Sequence, residues 1–209
     1  GVINSYQEKQ NEIYGVIPVA AGDLYQGTAI SNLTHGEPVS AMLKAIGIEA
    51  SAIGNHEFDW DRTDFDTWQK DGGFDFVAAN IVYKDNGELV DFAKPYVIVE
   101  KNGIKVAFIG IATLDTVTST KADKIEDLDF LDPVETMDKW SPIVRAEGAD
   151  VVVSLTHCSV DVENGVAYGE AADIATNAKD VDAVIGAHNH KFVNTIVNGR
   201  PVVQAGYNG

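Results

Sequence analysis

Four of the five histidines in this sequence stand where a short apolar run gives way to small or polar residues. The runs at 16–20, 50–53, 151–155 and 181–185 lead to Gly22-Asp23, Gly54-Asn55-His56, Thr156-His157 and Gly186-Ala187-His188-Asn189-His190 respectively. Nearly continuous apolar runs of this length read as strands buried on both faces, and open α/β sheets gather their ligands at strand ends. A fold that brings those ends to one edge assembles Asp23, Asn55, His56, His157, His188 and His190. Imidazole, carboxylate and amide oxygen form a mixed nitrogen and oxygen donor set, better suited to zinc, manganese or iron than to calcium. Each piece also has an ordinary reading. His-x-His in a strand merely puts two imidazoles on one face, and Gly-Asp and Gly-Asn-His occur in turns. Their recurrence at four strand ends favours one shared site.

The elements that must position these residues follow from the same pattern. Further runs at 74–79, ending on Asn80, and at 104–111 complete the strand set, and 94–100 with Asn102-Gly103 reads as a hairpin into the latter. The segment 37–46 places Val39, Met42, Leu43 and Ile46 on one helical face, with Gly47 as its stop. Asp132 can cap a second helix whose first turn holds Pro133 and whose inner face carries Val134, Met137 and Trp140. A third helix is expected over 169–178. Residues 115–132 are polar and acidic and read as an exposed excursion. Strands alternating with helices give an α/β class, and 209 residues suit one domain over 1–209 with one sizeable core.

Asp and Glu number 32 against 15 Lys and Arg, for a net charge of -17. That field disfavours a nucleic-acid polymer, yet a small phosphate ester remains compatible because bound cations reverse the sign of a pocket. Cys158 is the only cysteine, so no internal disulfide forms. Following His157 in a strand, it points into packing and away from nucleophilic chemistry. No stretch reaches the roughly 18 apolar residues of a membrane span, and residues 1–20 do not read as a signal peptide. His35 reads as a solvent-facing residue before a helix, and Trp60, Trp68 and Trp140 as packing residues.

Gly54-Asn55-His56-Glu57-Phe58-Asp59 resembles the signature of the 5'-nucleotidase branch of the calcineurin-like metallophosphoesterases. Ala21-Gly22-Asp23, Leu155-Thr156-His157, Gly186-Ala187-His188-Asn189-His190 and Val203-Gln204-Ala205-Gly206 resemble its other blocks in order and spacing across nearly the whole chain. The resemblance implies a four-layer α/β/β/α sandwich and two divalent transition metals, zinc or manganese. It implies that Asp23 bridges the two ions, that Asn55, His157 and His188 complete the second metal's ligands, and that His190 belongs to the first. His56 matches the non-ligand catalytic histidine and Asp59 its supporting carboxylate. Glu57 and Phe58 are read as structural. Ala79-Asn80 resembles the family's Ala-Asn segment, making Asn80 either a turn residue or a support for the ligands.

One departure stands out: the family's first-strand Asp-x-His, which supplies two ligands to the first metal, has no counterpart before Asp23. Residues 1–15 read as the polar helix after such a strand, with Ile3, Tyr6 and Ile13 as its apolar positions. The expectation is a sandwich truncated at the N-terminal strand, one bound ion and low activity; divergence is the alternative. The implied reaction is hydrolysis of a phosphate monoester, most simply a nucleotide to nucleoside and phosphate, by a metal-activated water. A cyclic-nucleotide phosphodiesterase, a UDP-sugar hydrolase and a non-catalytic metal-binding surface module are the rivals. The resemblance implies that nucleoside recognition resides largely in a separate C-terminal domain, expected to be absent from residues 1–209. The branch is typically exported, so the expected location is extracellular, at the cell surface or periplasmic.

Overall fold

The computed structural model describes residues 15–207 together with Ser5, Glu8 and Lys9. Ile3, Tyr6 and Ile13, expected to line an N-terminal helix, lie outside the described residues. Three parallel strands, β1 (Val19–Ala20), β2 (Ala50–Ala52) and β3 (Asp75–Val77), form one sheet in that order. The second sheet has six strands. They are β5 (Tyr96–Lys101), β6 (Ile104–Ile111), β8 (Val151–Thr156), β11 (Ala183–Gly186), β12 (Phe192–Val197) and β13 (Arg200–Ala205), ordered β12-β13-β11-β8-β6-β5. Its four central strands run parallel, and an antiparallel hairpin closes each side. Two minor pairs join β4 (Ile81–Tyr83) to β7 (Leu128–Phe130) and β9 (Asp161–Glu163) to β10 (Val166–Tyr168).

Period-two alternation sorts the strand side chains into layers. Along β6, Val106 and Phe108 face the smaller sheet while Ala107, Ile109 and Ile111 face helices. The same split separates Val151, Val153 and Leu155 from Val152 on β8. The outer side packs against α6 (Pro133–Ala146) and α7 (Glu170–Asn177) through Met137, Val144, Ala171 and Ile174. Beyond the smaller sheet, the short α1 (Ala29–Leu33) leads into α2 (Glu37–Ile46), which with α3 (Asp64–Gly72) encloses an aromatic core of Tyr25, Phe58, Phe65, Trp68 and Phe76. The order of layers is helix, sheet, sheet, helix, as the resemblance implies.

The helix signals act as read. Gly47 ends α2 in the left-handed region (φ 76), and the Asp132 side chain accepts the Glu135 N–H at 2.9 Å to cap α6. Asn102 (φ 53) and Gly103 (φ 81) make the tight turn between β5 and β6. Three expectations need correction. The run at 16–20 pairs only over Val19–Ala20, because Pro18 has no N–H to give a ladder. Met42 is exposed, since only Val39, Leu43 and Ile46 of its helix reach the core. Residues 115–132 are not merely an excursion. They fold as α4 (Thr116–Ser119), α5 (Ala122–Ile125) and β7, with Ile125 and Leu128 buried against the aromatic core. Phe130 packs on the same core, and β7 pairs with β4, so three apolar anchors and a short ladder bring the segment back.

The inner face of the larger sheet extends past the smaller one. Val203 pairs with Ile185 and faces Asn194, which sets Phe192, Ile196 and Val203 on that inner face, all exposed. Where the sheets do overlap, they touch through backbone: a Cβ on Gly110 would collide with the Val77 carbonyl, and Gly110 O accepts the Ala79 N–H at 2.7 Å. Gly110→Ala forces the sheets apart and is expected to cost on the order of 3 kcal/mol of stability, read from urea unfolding. An unchanged midpoint would show that the contact does not set the sheet spacing.

Candidate metal centre

The end of β1 turns into the site through Ala21-Gly22-Asp23. Gly22 sits at φ 87, where a Cβ would lie 2.6 Å from Gly54 N and 2.9 Å from His157 Nδ1. Asp23 itself is left-handed at φ 58. A Cβ on Gly54, after β2, would overlap the Asp23 carboxylate. The loops after β1 and β2 therefore meet at contact distance only because both carry glycine at the crossing.

Glu57, in the 3-10 turn Asn55–Asp59, binds the two loops together. Its fully buried carboxylate accepts the N–H groups of Asp23 at 2.8 Å, Leu24 at 2.7 Å and Gly54 at 2.7 Å. Burial, and after it the Asp23 charge, push the Glu57 carboxyl up to about 7 against the amide bonds from Asp23 and Leu24. With its backbone so held, Asp23 turns Oδ1 to the His56 N–H at 2.9 Å and Oδ2 to His157 Nε2 at 3.0 Å.

His157 follows β8 and is buried. Its Nδ1 donates to Ala21 O at 2.6 Å, which leaves Nε2 as the free nitrogen, close to Asp23 but outside hydrogen-bond alignment. Asn55 Oδ1 is likewise buried without a partner. Burial opposes ionisation of both Asp23 and His157, yet their mutual attraction prevails and holds Asp23 below and His157 above their ordinary ranges. A positive charge between them is favoured, and a divalent cation meets the demand of both orphaned atoms. His188 brings the third donor from the loop after β11; ligand atoms of Asp23, His157 and His188 all lie within 4.8 Å of one another. Burial, and then the neighbouring His157, lower the His188 pKa, which keeps its lone pair available. Among the described residues these three form a partial divalent-metal site.

The remaining candidates are distributed around it. His56 Nδ1 lies 2.7 Å from Asp59 Oδ2, and both side chains are partly exposed. His190 is outside the set of three, exposed and stacked on Tyr207 with ring centroids 5.4 Å apart. Asn80 spends its amide on backbone: Oδ1 accepts Ala112 N–H at 2.8 Å, while Nδ2 donates to Ala112 O at 2.8 Å and Leu131 O at 3.2 Å. His35 faces solvent beside Asp64, and Cys158 is buried with its thiol pKa pushed up by burial. Trp68 stacks on Tyr25 at 4.1 Å in the core.

Sequence reasoning did not single out the fasteners of the His188 loop. Gln204 donates to Asn189 Oδ1 and Lys191 O, both at 2.6 Å, and Asn189 Nδ2 donates to Val160 O at 3.0 Å. The Gln-Ala-Gly block was the available signal. His188 (φ 77) and His190 (φ 59) are left-handed, as Asp23 is, so the loops stay strained unless such bonds hold them. Glu57→Gln offers one acceptor oxygen where two are used and faces an amide N–H with an NH2. It is expected to lose about 2 kcal/mol of stability by denaturant unfolding; wild-type stability would remove Glu57 from this role.

Comparison with known proteins agrees with this geometry. The calcineurin-like phosphoesterase family model matches residues 6–192. The chain is 31 % identical over 95 % of its length to endonuclease YhcR of Bacillus subtilis, of which it spans 17 %. It is 31 % identical over 89 % of its length to a 5'-nucleotidase of Vibrio parahaemolyticus, of which it spans 34 %. A crystal structure of the calcineurin-like phosphoesterase YfkN from Bacillus subtilis superposes with a TM-score of 0.82 at 26 % identity, covering 98 % of this chain and 71 % of that one. The fold, the donor set at its strand ends and the family match lead to one assignment: the chain belongs to the calcineurin-like phosphoesterase family, as a metallophosphoesterase domain related to the 5'-nucleotidases.

Proposed function

We propose that the chain hydrolyses phosphate monoesters, with nucleotides as the substrate class, and that residues 1–209 act as the catalytic domain of a longer protein. The observation that carries this reading is the His56–Asp59 pair at 2.7 Å, set on the same turn as Asn55. A module that only bound cations would have no use for it. A phosphate ester resists attack because its oxygens are anionic and its leaving alkoxide is poor. A zinc or manganese ion bound by Asp23, Asn55, His157 and His188 would supply Lewis-acid polarisation and an acidic water. Asp59 holds Nδ1 of His56, so that the imidazolium form of the ring would present an Nε2–H donor to the phosphoryl group or its leaving oxygen. Asp23 fixes the loop carrying His56 through its bond to the His56 N–H.

Similarity to an endonuclease keeps phosphodiesters as a second reading, although the net charge of -17 opposes a nucleic-acid polymer. UDP-sugars are the third substrate to compare. Under this reading a separate nucleoside-binding domain selects among them, and the protein works outside the cytoplasm, as the resembled branch does. Cell fractionation of the parent protein checks the latter, and recovery in the cytosolic fraction would reverse it.

With His190 apart from the donor set, one ion per chain is expected by metal analysis; two fully occupied ions within one chain would contradict this. Asp23→Ala should abolish that binding. In the parent protein, His56→Ala should retain metal and lose about 100-fold or more of phosphate release from AMP. Full turnover by that variant would reject the catalytic role of His56, and a cyclic nucleotide or UDP-glucose hydrolysed in preference to AMP would reassign the substrate.

A further inference from the structure

We propose that Asp115 is a positioning residue for the metal centre: its carboxylate holds the Nε2 edge of His188 and so makes Nδ1 the nitrogen that His188 offers to a cation. The inference rests on the reading above only in taking the Asp23–His157–His188 set as a cation site.

A ligating imidazole donates through its other nitrogen to a carbonyl or carboxylate, and that outer partner fixes both tautomer and ring orientation. His157 obeys this rule, with Nδ1 on Ala21 O at 2.6 Å and Nε2 turned to Asp23. At His188 the nitrogen nearest a protein carboxylate is the opposite one: Nε2 lies 3.4 Å from Asp115 Oδ2, an ion-pair approach that a hydrogen bond would have to tighten. The two rings lie 5.2 Å apart and are tilted by 64°. Under this proposal the pair would offer one Nε2 and one Nδ1 to the cation, with Ala21 O behind the first ring and Asp115 behind the second.

Asp115 is delivered to that edge by a built arrangement. Glu170, the first residue of α7, accepts the Thr113 hydroxyl at 2.5 Å through Oε2 and the Leu114 N–H at 3.0 Å through Oε1. Thr113 is buried, and its Oγ1 accepts the Asp115 N–H at 3.2 Å. One carboxylate therefore grips the loop after β6 and aims the next acidic side chain at His188. Asp115 itself is 66 % exposed, so replacing it leaves the core intact.

The tautomers can be read without metal, by long-range proton–nitrogen NMR of the histidine-labelled chain under alkaline conditions. His157 should carry its proton on Nδ1 and His188 on Nε2, and Asp115→Ala should remove the His188 preference. Calorimetry with zinc alone should show roughly tenfold or greater weakening in Asp115→Ala and recovery in Asp115→Glu, which can reach the same ring edge. A wild-type His188 protonated on Nδ1 overturns the proposal, as does an Asp115→Ala chain that binds zinc within about twofold of wild type. Failure of the wild-type chain to bind zinc would overturn the cation reading of the site instead, and the tautomers would still decide the role of Asp115.

Discussion

Three backbone N–H groups from two different loops converge on the buried Glu57 carboxylate, and the candidate site depends on that convergence. Asp23 and Leu24 follow β1 and Gly54 follows β2, so the carboxylate joins neighbouring strand ends at the point where their pairing stops. A left-handed aspartate is a costly conformation for a side chain that must also face a second carboxylate. The amide bonds to Glu57 meet that cost locally. They leave both Asp23 oxygens for other work, one on the His56 N–H and one toward His157.

The same economy recurs on the opposite side of the site. His188 and His190 are left-handed, and the loop carrying them is held by Gln204 and Asn189 instead of by a sheet ladder. His157 needs no such device, because it continues β8 and its N–H bonds to Ile111 O at 2.9 Å. Donors on irregular backbone thus face donors on regular backbone, and glycine occurs where the two approach. Gly22 and Gly54 are demanded by contact distances, and Gly110 by the approach of one sheet to the other.

Much of this was legible in the residue order. Apolar runs located the strands that carry the donors, and Gly47, Asp132 with Pro133, and Asn102-Gly103 marked the element ends. What escaped depends on distance in sequence. Nothing local tells that Gln204 clamps the loop of Asn189, that Glu170 grips Thr113, or that Ile125 and Leu128 turn a polar stretch inward. Glu57 was visible as structural, but its partners 33 and 34 residues away were not. The site residues were read as a set because strand ends share an edge. Their spacing alone could not separate the compact trio of Asp23, His157 and His188 from His190.

The trio also draws from both sheets, with Asp23 at the end of β1 in the smaller and His157 and His188 at the ends of β8 and β11 in the larger. Any cation held there is a crosslink between layers that otherwise adhere through side-chain packing and the backbone contact at Gly110. Binding and folding then become linked equilibria, and a ligand at a hundred times its dissociation constant adds about 2.7 kcal/mol to the folded state. Persistence of the native chain becomes a function of metal activity in its surroundings. Scarcity would act on it as a mild denaturant, well before any question of turnover arises.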